Sequence, residues 1–349
     1  MKTNRLIYLL LIILFVWLIL LSRDTYFNHR QNNDESIVNE YNVTGFSTDF
    51  TKIIDDNKSS IVTIVADSNI STGFICRQNN DDVYIVTCYH GVSSANEINV
   101  VFASSYSQFG ELIGFDPFTD LAVIKVETPY QMNPLVIGDS DVLKQGEFVI
   151  SIGTPVSLDY ASSVELGMIS LKNITVENNI SYNDERYSYY LNMIELSSDL
   201  TSGYSGSPIL NMNGELVGMN TMNISSNFDF ALTSNEIRIV TEKIINGQEI
   251  NRNNIGIRGT YLNDMYNYEK TNLNIPIDVI DGVYVYRIKE NSLAYQAGIR
   301  SGDIITRING KEIKNFNDYL SALYFDELNE MTFEFIRNSE VFNNGVSRD

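Results

Sequence analysis

The chain has 349 residues, enough for two to three domains with ample surface to bury a core. With 44% hydrophobic and 19% charged residues, a disordered or low-complexity chain is excluded. The 24 basic residues face 44 acidic ones, a net charge of -20 that argues against any phosphate backbone as partner, so no nucleic acid is expected. Two cysteines, Cys76 and Cys88, and two histidines, His29 and His90, exclude a disulfide scaffold and a Cys- or His-rich metal centre; no metal or cofactor is expected.

Residues 6–21 are 16 consecutive apolar or aromatic residues, preceded by Lys2 and Arg5 and followed by Ser22 and Arg23. As a helix this run spans about 24 Å, slightly less than a hydrocarbon core of roughly 30 Å, and the flanking cations can snorkel to cover the difference. A cleaved signal peptide needs a small-x-small site, and none follows between Ser22 and Arg30. The reading is therefore a short cytoplasmic tail and transmembrane anchor over 1–22. The remainder is expected on the far side of the membrane, periplasmic or extracellular in a bacterium.

Residues 23–50 are polar and Asn-rich and read as a linker, with Tyr41, Phe46 and Phe50 as scattered aromatics. Short runs rich in β-formers then recur at 61–65, 73–76, 83–87, 98–102, 121–126 and 148–152. A second set follows at 167–171, 190–195, 209–210 and 216–220, with a connector between the sets at 128–133. This spacing predicts a mainly β fold of two halves. Residues 234–245 carry apolar positions at Ile237, Val240, Ile244 and Ile245, a helical spacing that closes the domain.

Three segments can do chemistry. His90 follows a strand in Thr87-Cys88-Tyr89-His90-Gly91, and Asp120 stands directly before the apolar strand 121–126. Ser205 sits between Gly203 and Gly206 in a turn able to aim successive N–H groups at one point, as an oxyanion hole requires. The order His, Asp, Ser on a two-part β pattern is that of chymotrypsin-type proteases. Cys88 falls opposite about Thr72 if the strands 73–76 and 83–87 pair as a hairpin, too far from Cys76 for a bridge, so two free thiols are expected.

The strings Thr119-Asp120-Leu121-Ala122-Val123-Ile124-Lys125-Val126, Gly203-Tyr204-Ser205-Gly206-Ser207-Pro208 and Asn213-Gly214-Glu215-Leu216-Val217-Gly218 resemble the protease domain of the HtrA/Deg family of trypsin-like serine proteases. The resemblance implies a chymotrypsin-like double β-barrel over 51–249. It implies His90 as general base, Asp120 as the group orienting it, Ser205 as nucleophile, and the N–H groups of Gly203 and Ser205 as the oxyanion hole. The family has Asn where Tyr204 and Tyr89 stand and a second Gly where Ser207 stands. Tyr204 is expected to add bulk beside the oxyanion hole.

Residues 250–349 form a separate unit. They hold 11 basic against 14 acidic residues, only -3, whereas 23–249 hold 11 against 30, or -19. Within them, a helix over 293–297 ended by Gly298 and a hairpin through Asn309-Gly310 are legible. The stretch 297–313 resembles a PDZ domain of the HtrA type. That likeness implies capture of peptide C-termini by added-strand pairing, with Asn254, Ile255, Gly256 and Ile257 as the carboxylate loop. The end of the chain soon after residue 335 suggests a short or missing final strand. The resemblance also implies a homotrimer built through the segment before the first barrel, with Tyr41, Phe46 and Phe50 as contacts. Taken together, the chain reads as a membrane-anchored serine endopeptidase of the cell envelope, regulated by peptides at its PDZ domain and serving stress response or protein quality control. A catalytically silent peptide-binding scaffold with the same fold is the alternative.

Overall fold

A computed structural model describes residues 50–182, 185–198, 203–221, 229–250, 255–315, 318–319, 322 and 330–347. The expected anchor at 6–21 and the contacts Tyr41 and Phe46 lie outside these. Among the described residues no helix is long and apolar enough to cross a membrane.

After helix α1 (Phe50–Asn57), the strands β1 (Ile61–Ala66), β2 (Asn69–Asn79), β3 (Asp82–Cys88), β4 (Ile98–Phe102), β5 (Ser107–Phe109), β6 (Glu111–Asp116) and β7 (Leu121–Glu127) make one sheet in the order β5-β4-β1-β2-β3-β7-β6. Its two edge strands are consecutive in the chain and joined by Gly110 alone, so the sheet must curl on itself. A Cβ at Gly110 would lie 2.4 Å from Ile124 of β7, which is why the corner carries no side chain. Alternation along these strands serves two cores at once. Val62, Ile64, Ile75, Ile85, Ala122 and Ile124 fill the sheet's own interior. Ile61, Phe74, Val86, Cys88, Leu121 and Val123 point the other way, against the second half.

The second half contains β8 (Phe148–Gly153), β9 (Ser163–Tyr182), β10 (Glu185–Leu196), β11 (Pro208–Leu210), β12 (Leu216–Asn220) and β13 (Asp229–Thr233), closed as a barrel in the order β10-β13-β12-β11-β8-β9. Helix α2 (Ser234–Ile245) follows over the residues its periodicity predicts. The connector between the halves is longer than expected, running from the end of β7 at 127 to 148 and including a bridge from Ile137 to Leu216. Phe50, expected to face another subunit, packs edge-on against Phe148 at 6.5 Å within its own chain.

The C-terminal part is a six-stranded sheet: β14 (Ile257–Tyr261), β15 (Val283–Ile288), β16 (Ile304–Ile308), β18 (Glu330–Arg337) and β19 (Glu340–Ser347) in line, with β17 (Lys311–Glu312) beside β16. Helix α3 (Asn267–Asn272) lies in the β14–β15 connection and buries no residue, while α4 (Leu293–Gln296) buries Ala294 and is followed by Gly298 with φ of +88°. Asn309 and Gly310 adopt φ of +50° and +77°, the two-residue turn the dipeptide predicts. The expectation of a short or missing final strand is corrected. β19 pairs with β18 from Arg337↔Glu340 to Glu330↔Ser347, through a turn in which Asn338 and Ser339 both take positive φ.

Candidate active site

The β3–β7 ladder sets the site. Its last pair is Cys88↔Leu121, so the next residues along each strand, Tyr89 and Asp120, lie across from one another, and Tyr89 N–H donates to the Asp120 carbonyl at 2.8 Å. Asp120 is bent into the left-handed region, φ +59°, which Asp tolerates better than most residues. An Asx turn delivers the bend: Asp116 accepts from the N–H groups of Phe118 and Thr119 at 3.2 and 3.3 Å.

From there the Asp120 carboxylate, 2% exposed as a residue, grips His90 twice. Its Oδ1 accepts from the His90 backbone N–H at 2.8 Å, and its Oδ2 faces His90 Nδ1 at 2.6 Å. Thr221 Oγ1 donates to the same Oδ2 at 3.0 Å. With its backbone and ring both held, the imidazole has its Nδ1 committed and presents Nε2. The hydrogen bond to the carboxylate raises the His90 pKa above its ordinary value, opposed by burial. Charge on the imidazolium is thus stabilised at a ring whose side chain is 42% exposed.

Ser205 is brought to this corner by Thr72 of β2. Thr72 N–H donates to the Ser205 carbonyl at 2.9 Å, and Thr72 Oγ1 donates to the Gly203 carbonyl at 2.8 Å while accepting from Thr154 N–H at 2.9 Å. Gly203 and Gly206 have φ of +99° and +83°. A Cβ on Gly206 would lie 2.1 Å from the Thr72 carbonyl, so glycine is required for the turn to approach β2. Among the described residues the N–H groups of Gly203 and Ser205 carry no hydrogen bond, and none joins Ser205 Oγ to His90. The structure thus joins His90 to Asp120 directly and seats the Ser205 turn beside them.

Tyr204 departs from expectation. Its side chain turns away from the cleft and is 2% exposed, among Leu143, Val149, Ile169, Ile194 and Ile209. Tyr89 stacks on Phe115, centroids 4.2 Å apart. The sequence pointed to neither Thr72 nor Thr221, since a lone threonine in a strand carries no local signal. Cys76 and Cys88 are free thiols, and the Gly73↔Thr87 pairing carries the register on to Thr72 opposite Cys88. Donor atoms of Cys88, His90 and Asp120 lie within 4.8 Å of one another. Yet burial and the Asp120 charge push the Cys88 thiol pKa well up, and its Sγ–H lies 3.3 Å from the Asn220 carbonyl.

With this geometry in view, comparison with known proteins finds a trypsin-like peptidase domain over residues 71–219 and a PDZ domain over 284–334. A "Serine protease HtrA-like" of Staphylococcus epidermidis is 27% identical over 352 residues, covering 94% of this chain and 60% of that protein. The chain is a homologue of the HtrA/Do serine proteases. A "Serine protease Do-like HtrA" of Bacillus subtilis is 30% identical over 266 residues, covering 74% of this chain and 58% of the relative. This HtrA/Do homologue therefore spans about 60% of the length of the curated relatives it matches. Among solved structures, "HtrA-type protease AlgW with tripeptide" shares its fold, with TM-score 0.58, 20% identity, and coverage of 85% of this chain and 95% of that one.

In the PDZ part of this homologue, Asn254 lies outside the described residues. Ile255 and Ile257 are buried in the core at 1% and 5% exposure. Gly256, φ +72°, is pressed so close to Ser292 that a Cβ would lie 2.3 Å from it, and its carbonyl accepts from Lys289 N–H. Ile255 and Gly256 thus contribute backbone rather than side chain to the loop before β14, and Ile257 opens the strand. β14 is an edge strand, paired only with β15 within its sheet. Its Gly259 carbonyl accepts from Thr175 Oγ1 of β9 at 3.1 Å.

Proposed function

We propose that this chain is a serine endopeptidase in which His90, Asp120 and Ser205 form the catalytic triad. The observation that carries the reading is the double grip of Asp120 on His90 at 2.8 and 2.6 Å, next to the Ser205 turn. A serine hydroxyl is a weak nucleophile at neutral pH. His90 Nε2 takes the Ser205 proton as Oγ attacks the peptide carbonyl. The tetrahedral oxyanion is met by the N–H groups of Gly203 and Ser205, and His90 returns the proton to the leaving amine. Asp120 holds the tautomer and stabilises the imidazolium. Water then enters by the same route in reverse and releases the acyl product.

The PDZ part binds peptide C-termini by strand addition to β14, with the backbone of 254–257 around the carboxylate, and this binding regulates cleavage. Support comes from the edge position of β14 and from the structural relative AlgW, an HtrA-type protease solved with a tripeptide. Residues 6–21 anchor the chain in a membrane, the catalytic part faces away from the cytoplasm, the chain assembles as a homotrimer, and its role lies in envelope stress or protein quality control. The apolar run with its basic flanks and the family resemblance support these.

Hydrolysis of fluorescently labelled β-casein by the full chain tests the reading. Wild type cleaves it, Ser205→Ala does not, and Asp120→Asn loses about 10⁴ in kcat because the wrong tautomer is held. Equal rates in wild type and Ser205→Ala would defeat it.

A further inference from the structure

The nucleophile turn poses a physical problem. Two glycines with positive φ, at +99° and +83°, flank Ser205's neighbourhood, and glycine backbones are the freest in a chain. Nevertheless, an oxyanion hole needs two N–H groups held in advance of the reaction.

We infer that Tyr204 is a positioning residue whose buried ring fixes the N–H group of Ser205 toward the oxyanion. This rests on the reading of Ser205 as nucleophile. The Ser205 N–H shares a planar peptide unit with the Tyr204 carbonyl, and in a trans unit the two point in opposite directions. Ser207 N–H donates to that carbonyl at 2.8 Å, which sets the plane from one side. From the other side the ring, 2% exposed, is packed among Val149, Ile169, Ile194, Ile209 and Val217 of the closed barrel. Thr72 Oγ1, donating to the Gly203 carbonyl at 2.8 Å, holds the Gly203–Tyr204 unit from which the ring's residue departs.

The barrel is shaped around the ring. Gly153 ends β8 without a side chain, and a Cβ there would lie 2.6 Å from Tyr204 Cδ1 and 3.0 Å from both Cε1 and Thr72 Oγ1. Gly203 in turn is pressed on 154–156, where a Cβ would lie 2.5 Å from the Thr154 carbonyl and 2.7 Å from Val156 N. A ring that moves would therefore carry the turn with it.

Two steady-state and inactivation measurements on the full chain test this, with β-casein and a fluorophosphonate as probes. Tyr204→Ala is expected to lose about 10² to 10³ in kcat and in limiting inactivation rate, with KM and half-saturating probe concentration within threefold of wild type. Tyr204→Phe, which keeps the ring, restores kcat to within threefold. Gly153→Ala, whose methyl meets the ring and, at 3.0 Å, Thr72 Oγ1, lowers kcat, and the share that acts through the ring is the part that does not add in Gly153→Ala/Tyr204→Ala. Should Tyr204→Ala not fold, Tyr204→Leu, which keeps an apolar side chain but not the ring, against Tyr204→Phe decides the matter. An active wild type with kcat unchanged in Tyr204→Ala or Gly153→Ala, or a loss carried wholly by KM, overturns the inference alone. A wild type that neither cleaves casein nor takes the probe overturns the nucleophile reading as well.

Discussion

At the scale of single residues, His90 is governed by one carboxylate. The Asp120 hydrogen bond raises its pKa, so at mildly acid pH the ring is protonated and, in the proposed mechanism, cannot accept the Ser205 proton. The kcat/KM for casein is expected to rise with pH through a midpoint above the ordinary 6.5, and in Asp120→Asn that midpoint falls; an unshifted midpoint in the variant would contradict the assigned cause. Linkage has the opposite sign. A raised folded-state pKa contributes stability that is complete below the unfolded value and fades as pH climbs through the folded one. Stability and activity from His90 thus trade places across the same window. His90, Asp120 and Ser205 were legible because each sits at a strand end or glycine turn whose local signature is visible. Thr72, Thr221 and the inward turn of Tyr204 were not, because they act through β2, β12 and the barrel core, which only tertiary pairing brings near.

Among the elements, the strands of the first sheet were readable from β-branched runs, and α2 from its apolar spacing. β19 was missed because its residues are mostly exposed and polar, so no alternation marks it, and its Asn338-Ser339 turn lacks the glycine of Asn309-Gly310. Similarly, β9 and β10 extend well beyond the runs at 167–171 and 190–195, into an Asn-, Ser- and Tyr-rich stretch that reads as loop. Extension has a structural use: Thr175 and Asn173 of β9 bond Gly259 and Asp264 of the PDZ part, and Asn178 donates to the Phe118 carbonyl beside the Asp120 bend. The corner at Gly110 is the most exacting joint of the first sheet. Gly110→Ala drives a methyl into Ile124, a stiff β-branched neighbour, and is expected to cost about 1–3 kcal/mol. Urea unfolding checks this: because the methyl would meet Ile124 Cγ2, which alanine lacks, the loss in Gly110→Ala/Ile124→Ala is expected to be smaller than the sum of the two single losses; a Gly110→Ala midpoint equal to wild type would show the sheet can give at its corner.

Across the whole molecule, the net charge of -20 resolves into a strongly acidic protease region and a nearly neutral PDZ region. The two are packed together: Ile239 of α2 is buried in the PDZ core with Ile255 and Ile257, and Lys172 of β9 pairs with Asp264 at 3.2 Å. In the proposed function, a peptide added to β14 would meet the same strand that β9 touches at Gly259, and its effect would pass to the trypsin-like part through that contact. A peptide with an apolar C-terminal residue is expected to raise casein turnover by the full chain, and the same peptide amidated at its C-terminus is not; equal effects of the two would rule out carboxylate capture. The central claim concerns one atom. Treatment of the full chain with a fluorophosphonate, followed by peptide mapping in a mass spectrometer, should place a single covalent adduct on Ser205 that Ser205→Ala abolishes and Asp120→Asn slows. An adduct on another residue, or none with or without a C-terminal peptide, would contradict the account.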